Sequence, residues 1–370
     1  MDSLRVTARR LGLAALLLLA ACRAAAPVAE PAPAAAVPLW EIENPVRPLP
    51  VPPLGVPVEF SELPFKVTPE KVRLGRWLFF DTRLSADGTV SCASCHRPEN
   101  AFSEPTPVST GVGGRTGRRK AMPILNVAFP ITPSYFWDGR AGSLLEQAKG
   151  PMASRVEMDM SHERVTAAVS RIPGYRRYFR EAFGDDPVDV ERIAEAIAAY
   201  ESTLLSGNSA YDRYEAGDDG ALEERQRQGR DLFFGKARCN ACHLGYNLSD
   251  SRFHNLGVGY RPPAPGSDPR AGFRDLGRYE VTRREEDTGA FKTPTLRDCR
   301  KHPPFMHDGS IATLREVVLH YDRGGTPNPW LGEEMKPLHL SAREADALVA
   351  FLEALDGQGY QDAPPGSFPR

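Results

Sequence analysis

The sequence predicts a mostly α-helical protein that contains two similar domains with long loops. Apolar residues recur with helical spacing between helix-capping residues in several segments, whereas the alternation typical of strands is almost absent. Both halves contain, in the same order, a helix ending in Phe-Phe, a loop, a Cys-x-x-Cys-His motif and a later helix, which indicates two copies of one plan. A chain of 370 residues is long enough for two domains of ordinary size.

The first domain is predicted over residues 61–215. Its first helix begins at Thr68-Pro69-Glu70, which combines an N-cap residue, a proline at the first helical position and an early acidic residue. This helix ends with Phe79-Phe80, and a loop then leads to Cys92-Ala93-Ser94-Cys95-His96. The apolar periodic segment 188–205 predicts the helix that closes the domain.

The second domain is predicted over residues 216–358. A helix over 222–234 precedes the second motif, Cys239-Asn240-Ala241-Cys242-His243. The last helix is predicted from a capping box formed by Ser341 and Glu344, followed by leucines on one face. The second half therefore repeats the order of elements seen in the first.

The N-terminal segment has the pattern of an export signal. Three arginines precede an apolar run, 11–21, that is too short to span a bilayer but matches a signal-peptide core. The run leads into Leu19-Ala20-Ala21-Cys22, which is similar to the bacterial lipobox, where the peptide is cleaved before a cysteine that is then acylated. We expect residues 1–21 to be a lipoprotein signal peptide and Cys22 to anchor a periplasmic protein to the cell envelope. The alternative is an ordinary signal peptide with an incidental cysteine.

Two segments are predicted to lie outside the domains. Residues 22–60 are rich in Ala and Pro and have no amphipathic period, which predicts an extended tether. Residues 359–370 are predicted to form a tail. Charged residues make up 25% of the chain with a formal net charge of -2, and the two signs are interspersed, so no nucleic-acid partner is expected.

Four of the six cysteines lie in the two Cys-x-x-Cys-His motifs, the attachment pattern of c-type haem. Two thiols one helical turn apart can each bond a haem vinyl group, and the next residue, a histidine, can bind the iron. Zinc is the main competitor, but zinc motifs of this kind recur after about 15 to 20 residues, whereas these are 147 apart. The sequence therefore predicts two covalent haems c, with the following attachment cysteines and proximal iron ligands: Cys92, Cys95 and His96; Cys239, Cys242 and His243.

Further motifs carry a family resemblance. They are Phe136-Trp137-Asp138-Gly139-Arg140, then Gln147, Pro151 and Glu157-Met158 at ten, fourteen and twenty residues from Trp137, and later Lys292-Thr293-Pro294-Thr295-Leu296-Arg297 and His307-Asp308-Gly309. With these motifs, the chain after the tether resembles the bacterial di-haem cytochrome c peroxidase family, which includes the MauG-type enzymes. The resemblance implies two cytochrome c-like domains, with a peroxidatic haem in the first and an electron-transfer haem in the second.

The resemblance also implies a peroxide pocket at the first haem. Cleavage of hydrogen peroxide requires a proton to move from one oxygen to the other, and Glu157 is the candidate acid/base for that step. Gln147 would orient peroxide by hydrogen bonding, Pro151 would keep the open haem face free of a side-chain ligand, and Trp137 would line the pocket. Each residue alone could instead be an ordinary surface or core residue.

Two positions determine which irons are open. Family members that need reductive activation carry a His sixteen residues past the proximal His, and here that residue is Val112, so the first haem is expected to be open in the oxidised protein. Cytochrome c peroxidases carry a Met fourteen residues after the His of His-Asp-Gly, and here that residue is Tyr321. A Tyr ligand stabilises oxidised iron, whereas Met raises the potential. Besides a core role for this tyrosine, the rival ligands are His320, Met306 and Met335.

Three further positions depart from the family pattern or remain unassigned. The family's calcium takes an Asn side chain where this chain has Lys120, and an ammonium cannot bind a cation but could replace one. Calcium is therefore doubtful, although the carbonyls of His302 and Pro304 could still contribute. Ala237 stands where MauG-type enzymes have a Trp relay, so transfer between the haems would need another route, such as the neighbouring phenylalanines. Cys299 is expected to be a buried, inert thiol.

The leading functional hypothesis is an oxidoreductase that reduces hydrogen peroxide to water, with electrons from a small periplasmic c-type cytochrome or cupredoxin. The second is a MauG-like oxidase that uses peroxide to modify a residue, such as Trp, of a partner protein. Val112 and Tyr321 favour the second hypothesis, and Ala237 weakens it. The third is a di-haem electron carrier without peroxide chemistry, which the pocket residues argue against because a carrier gains nothing from an open iron.

Overall fold

A computed structural model describes residues 37–185 and 187–370 of the chain. The predicted signal peptide and Cys22 lie outside these residues. The described part is mostly helical, as predicted, and its twelve α-helices are α1 Leu39–Glu43, α2 Pro69–Phe80, α3 Cys92–Cys95, α4 Leu144–Ala153, α5 His162–Ser170, α6 Pro173–Phe183, α7 Val190–Glu201, α8 Ala210–Glu215, α9 Glu224–Phe234, α10 Tyr279–Thr282, α11 Leu314–Asp322 and α12 Ala342–Glu353. Its single sheet pairs β1 Phe253–His254 with β2 Phe291–Lys292 in antiparallel register. None of the described helices is both long and apolar enough to span a membrane.

The first half is organised by the crossing of α2 and α7. Thr68 caps α2 by accepting a hydrogen bond from the Lys71 amide, and proline occupies the first helical position, as predicted. The two helices touch at Gly75, where a Cβ atom would lie 1.8 Å from the carbonyl oxygen of Ala196. Only a glycine permits this close approach. The contact helps bury Trp77 completely.

The second half repeats this crossing with α9 and α12. A Cβ atom on Gly229 would lie 1.9 Å from the carbonyl oxygen of Ala347, the same relation as in the first half. Each contact glycine begins the same pattern, Gly-Arg-x-Leu-Phe-Phe, which ends its helix. The capping box predicted at the start of the last helix is present between Ser341 and Glu344. The two copies of one plan predicted from the sequence are therefore present in the structure.

Each half has its own hydrophobic core. The larger core gathers α2 and the helices up to α7, and the second gathers α9, α11 and α12. Residues Pro38–Arg370 together form one compact unit. A division of this unit between residues 215 and 216 thus stays a prediction.

The prediction of an extended tether is wrong for residues 38–60, which pack against the fold. The predicted tail, 359–370, also packs against the first half. Trp40 donates a hydrogen bond of 2.8 Å from Nε1 to the Tyr178 hydroxyl, and Val56 and Val58 are buried. Near the C-terminus, Asp362 accepts hydrogen bonds from Arg76 and from the Tyr200 hydroxyl, which both belong to the first half. Apolar residues thus hold the second part of the predicted tether against the fold, although its proline content predicts extended chain, and Asp362 anchors the predicted tail.

Candidate haem and peroxide site

The first Cys-x-x-Cys-His motif lines a cavity of about 170 Å³. Ser91 caps α3, so Cys92 and Cys95 are placed one turn apart on a short helix, and neither thiol is in a disulfide. The Nδ1 atom of His96 lies 3.1 Å from the carbonyl oxygen of Phe102. A backbone carbonyl on one ring nitrogen orients an imidazole so that the other nitrogen can bind a metal. Burial also lowers the pKa of His96, which favours the neutral form that binds iron.

The second motif lines a larger cavity of about 460 Å³. A 3-10 turn over Cys239–Ala241 brings the two thiols together, and burial raises the pKa of Cys239 to about 12. The Nδ1 atom of His243 lies 2.9 Å from the carbonyl oxygen of Leu248, and burial lowers the pKa of this histidine. Both motifs thus present two unpaired thiols and an oriented, neutral imidazole to a cavity, which is the set of groups that a covalent haem c requires.

We expect the mature protein to carry two haems after denaturation, because thioether bonds survive the loss of the fold. Mass spectrometry of the denatured protein should show the mass of two haems, and the variant with Cys239→Ala and Cys242→Ala should retain one. A wild-type mass with one haem or none would contradict the assignment of these motifs.

The four predicted pocket residues line the first cavity together with the haem motif. Gln147 and Pro151 are one turn apart on α4, whose N-terminus is capped by the Ser143 hydroxyl, so both face the same side of the helix. Glu157 follows in the turn after the helix, and Trp137 comes from the loop before it. The structure therefore brings Trp137, Gln147, Pro151 and Glu157 into one site, although they come from three separate segments.

The backbone of Glu157 is held by the glycine-rich loop that contains Val112. The amide of Val112 donates a hydrogen bond of 2.9 Å to the carbonyl oxygen of Glu157. A Cβ atom on Gly111 would lie 2.2 Å from the carbonyl oxygen of Val156, so this loop can pack here only with glycine at that position. The Val112 side chain is buried in the core of the first half. The loop thus positions Glu157, the candidate acid/base. The apolar Val112 side chain has no atom that could bind iron.

The loop that carries Trp137 recurs in the second half with His307 in the same place. Each loop is closed by a β-bridge between residues six apart, Tyr135 with Ala141 and Phe305 with Ile311. Each has positive φ at the second residue of the loop, 67° at Phe136 and 73° at Met306. Each leads through a capping hydroxyl into a helix, α4 or α11. The two loops are therefore equivalent parts of the repeated plan.

This equivalence relates Pro151 to Tyr321, because each lies fourteen residues after the corresponding Trp137 or His307. Pro151 lines the first cavity and Tyr321 the second. Burial raises the pKa of Tyr321 far above its ordinary value. The same position thus offers no donor atom to the first cavity and a phenol oxygen to the second.

The rival ligands differ in their positions. Met306 and Met335 line the second cavity, as Tyr321 does. His320 is not among the residues that line this cavity, and its Nε2 atom lies 3.0 Å from the carbonyl oxygen of Leu256. The structure therefore favours Tyr321 and the two methionines, which line the cavity, over His320.

The two cavities share a wall. Trp137, Lys120 and Lys292 line both of them. The indole Nε1 atom of Trp137 donates a hydrogen bond of 2.8 Å to the carbonyl oxygen of Lys120. The ammonium of Lys120 is buried against the carbonyl oxygen of Glu104, and burial lowers its pKa to about 8. A fixed cationic side chain therefore lies where the family resemblance implies a calcium ligand.

Sequence reasoning missed two groups in the first cavity, Lys292 and Glu201. Lys292 belongs to a recognised motif, but its place between the cavities depends on the position of β2. The Lys292 amide donates a hydrogen bond of 2.8 Å to the carbonyl oxygen of Trp137. Glu201 ends α7 in the pattern Ile-Ala-Ala-Tyr-Glu, and the one available signal is an acid that directly follows the uncharged run 196–200. Ala237 and Phe233 line the second cavity, and Cys299 is buried there, as expected.

Comparisons with known proteins agree with these features. A model of the di-haem cytochrome c peroxidase family matches residues 69–220. Methylamine utilization protein MauG of Methylorubrum extorquens is 41% identical over 295 residues, which cover 79% of this chain and 80% of that protein. Cytochrome c551 peroxidase of Pseudomonas aeruginosa is 35% identical over 306 residues, covering 82% and 84%. The crystal structure of a MauG-like protein associated with microbial copper homeostasis has a TM-score of 0.74 and 32% identity, and the match covers 86% of this chain and 96% of that one.

Proposed function

Because the chain belongs to the di-haem cytochrome c peroxidase family and is therefore an oxidoreductase, we propose that it reduces hydrogen peroxide to water in the first cavity. Electrons would enter through the second cavity from a small periplasmic c-type cytochrome or cupredoxin. The observation that carries this proposal is the shared lining of the first cavity by the haem motif, Gln147, Pro151 and Glu157. An export signal and a lipid anchor at Cys22 would place the reaction in the periplasm, at the cell envelope.

Each side chain of the first cavity would have a different role in peroxide cleavage. Haem bound to the two motifs would supply the redox chemistry, which consumes two electrons and two protons for each peroxide reduced to two waters. Glu157 can accept a proton from one peroxide oxygen and deliver it to the other. Gln147 can hold the outer oxygen by hydrogen bonding, and it does so without titrating. Pro151 leaves space for peroxide because its ring carries no group that could bind the iron.

Trp137 provides an aromatic connection between the two cavities. Its ring borders both, and it meets the His307 ring edge to face with centroids 6.4 Å apart. The relay position at Ala237 lacks an aromatic ring, so an electron moving between the cofactors would pass the shared wall at Trp137. A route through the phenylalanines near Ala237 would be less direct, because Phe233 lines only the second cavity.

A MauG-like oxidase is the second candidate function. The pairing of Pro151 with Tyr321 at equivalent positions favours it, since an oxygen ligand stabilises the oxidised state of the second haem. The similarity to the methylamine utilization protein is consistent with this candidate. In this function the electrons would come from a residue of a partner protein and not from a soluble donor.

We expect the oxidised protein, without prior reduction, to consume peroxide at the same rate as a sample first reduced at its second haem. Two equivalents of a reduced small cytochrome should be oxidised for each peroxide. Stopped-flow absorbance of the donor, with peroxide as the varied reagent, measures both quantities. Peroxide consumption only after prior reduction would contradict the open first site, and failure to oxidise any donor while a partner protein is modified would replace the peroxidase proposal with the oxidase.

A further inference from the structure

Glu201 is a buried carboxyl group of the first cavity that the peroxide chemistry described above does not use. It is the last residue of α7, and it lines the cavity together with Ile197, one turn earlier on the same helix. The residue is 4% exposed, and its Oε2 atom has no hydrogen-bond partner among the described residues. A buried polar atom without a partner is costly, so its retention calls for a specific explanation.

The surroundings of Glu201 favour the protonated carboxyl when no cation lies beside it. Burial raises the pKa of Glu201 to about 8. Its place at the C-terminus of α7 adds to this effect, because the helix dipole disfavours a negative charge there. A charge on Glu201 would also act on the titratable groups that face it, which are Cys92 from α3, Tyr135 from the loop before α4 and Tyr200 on α7 itself.

In the described part of the chain, none of the four cations that line this cavity forms an ion pair with Glu201, and three of them bind other groups. Arg119 forms ion pairs with Asp138 and Asp275, and Lys120 contacts the carbonyl oxygen of Glu104. The other two are Arg140, which pairs with Asp138 and lies over the Phe136 ring, and Lys292, which lies 6.0 Å from the Tyr135 ring centroid. Glu157 is the second carboxyl of the cavity, and like Glu201 it acts on Cys92.

We propose that Glu201 is the proton-loading group of the first haem site, taking up a proton from solvent when the haem bonded to Cys92 gains an electron and releasing it when the electron leaves. Uptake converts the carboxylate to the neutral acid, so the added electron and the added proton leave the net charge of the site unchanged. The haem electron and the Glu201 proton should be strongly coupled, because Glu201 is buried. Charges interact more strongly and over longer distances in the protein interior than in water. The proposal rests on the proposed function only in requiring a haem at this motif. In peroxide reduction, the loaded proton would be one of the two consumed.

The test is the reduction potential of the first haem as a function of pH, measured by optical titration of the holoprotein from about pH 6 to about pH 10. Reduction that takes up a proton becomes harder as protons become scarce, so the wild-type potential should fall with rising pH around the pKa of Glu201. The slope should approach about 59 mV per pH unit, which is a tenfold change in proton activity converted for a one-electron couple. It should flatten at lower pH, where the acid stays protonated in both redox states, and at higher pH, where it is ionised in both.

Glu201→Gln keeps the size and polarity of the side chain but cannot titrate, so this slope should disappear. Glu191→Gln makes the same change on an exposed residue of α7 and should keep the wild-type slope. An unchanged slope in Glu201→Gln would overturn the proposal, and loss of the slope in Glu157→Gln alone would assign proton loading to that residue instead.

A measurement on the wild type covers the case in which Glu201→Gln fails to fold. Redox-difference infrared spectra near pH 8 should show a protonated-carboxyl band that appears when the first haem is reduced. Absence of this band would overturn the proposal without any variant. Failure of the proposed function looks different, because a protein without haem at the first motif would show no absorbance from that haem before any potential is measured.

Discussion

Glu157→Gln should slow peroxide reduction by roughly a hundredfold or more, the usual scale of general acid/base catalysis, while both haems stay attached. The amide can still form hydrogen bonds at the same place, but it cannot accept a proton from one peroxide oxygen and pass it to the other. Gln147 and Pro151 face the same cavity and do not titrate, so neither can take over this step. The rate of peroxide consumption under excess reduced donor measures the effect.

Glu163→Gln is the matched control for this variant. Glu163 is exposed in the first turn of α5 and does not line either cavity described here, so the same substitution should leave the rate unchanged. The reduced spectra of both variants should show two haems. A near-normal rate in Glu157→Gln would exclude it as the acid/base and leave Glu201 as the remaining carboxyl of the first cavity.

Much of the fold could be predicted from the sequence because local chemistry determines it. The capping residues Thr68 and Ser341 begin their helices as predicted, since the hydroxyl accepts a hydrogen bond from the amide three residues later. The crossing glycines Gly75 and Gly229 could not be assigned in this way. Their role depends on which helix packs against them, which is a tertiary property.

The candidate site was predictable where residues lie at fixed spacing and unpredictable where separate segments meet. Gln147 and Pro151 are one turn apart on α4, so their shared face follows from helical periodicity. The burial of Glu201 depends on the packing of α7 against the rest of the first half, and a single acid in an apolar segment does not reveal it. Trp137 likewise borders both cavities only because β2 brings the second half against its loop.

The repeated plan places different residues at equivalent positions, to which the proposed function assigns two haems with different tasks. Equivalent loops lead into α4 and α11, and each helix presents its eighth residue to a cavity. That residue is Pro151 in the first half and Tyr321 in the second. On the proposed function, this difference would separate a site open to peroxide from a site whose iron has a side-chain ligand.

Tyr321→Phe should remove the low-spin ferric signal of the second haem, because a phenyl ring has no atom that can donate to iron. The change removes one oxygen and keeps the ring that fills the second cavity, so both haems should stay attached. Electron paramagnetic resonance of the resting protein measures this directly. The wild type should show one high-spin signal, from the first haem beside Pro151, and one low-spin signal. The variant should show two high-spin signals.

Tyr211→Phe provides the control, since Tyr211 packs against Phe351 in the core of the second half and does not line the second cavity. Its spectrum should match the wild type. A low-spin signal that persists in Tyr321→Phe would give the ligand role to Met306 or Met335, which line the same cavity, and Met306→Leu and Met335→Leu would then identify which one. Two low-spin signals in the wild type would contradict the open first haem, because Pro151 and Val112 offer no donor atom and another residue would have to bind that iron.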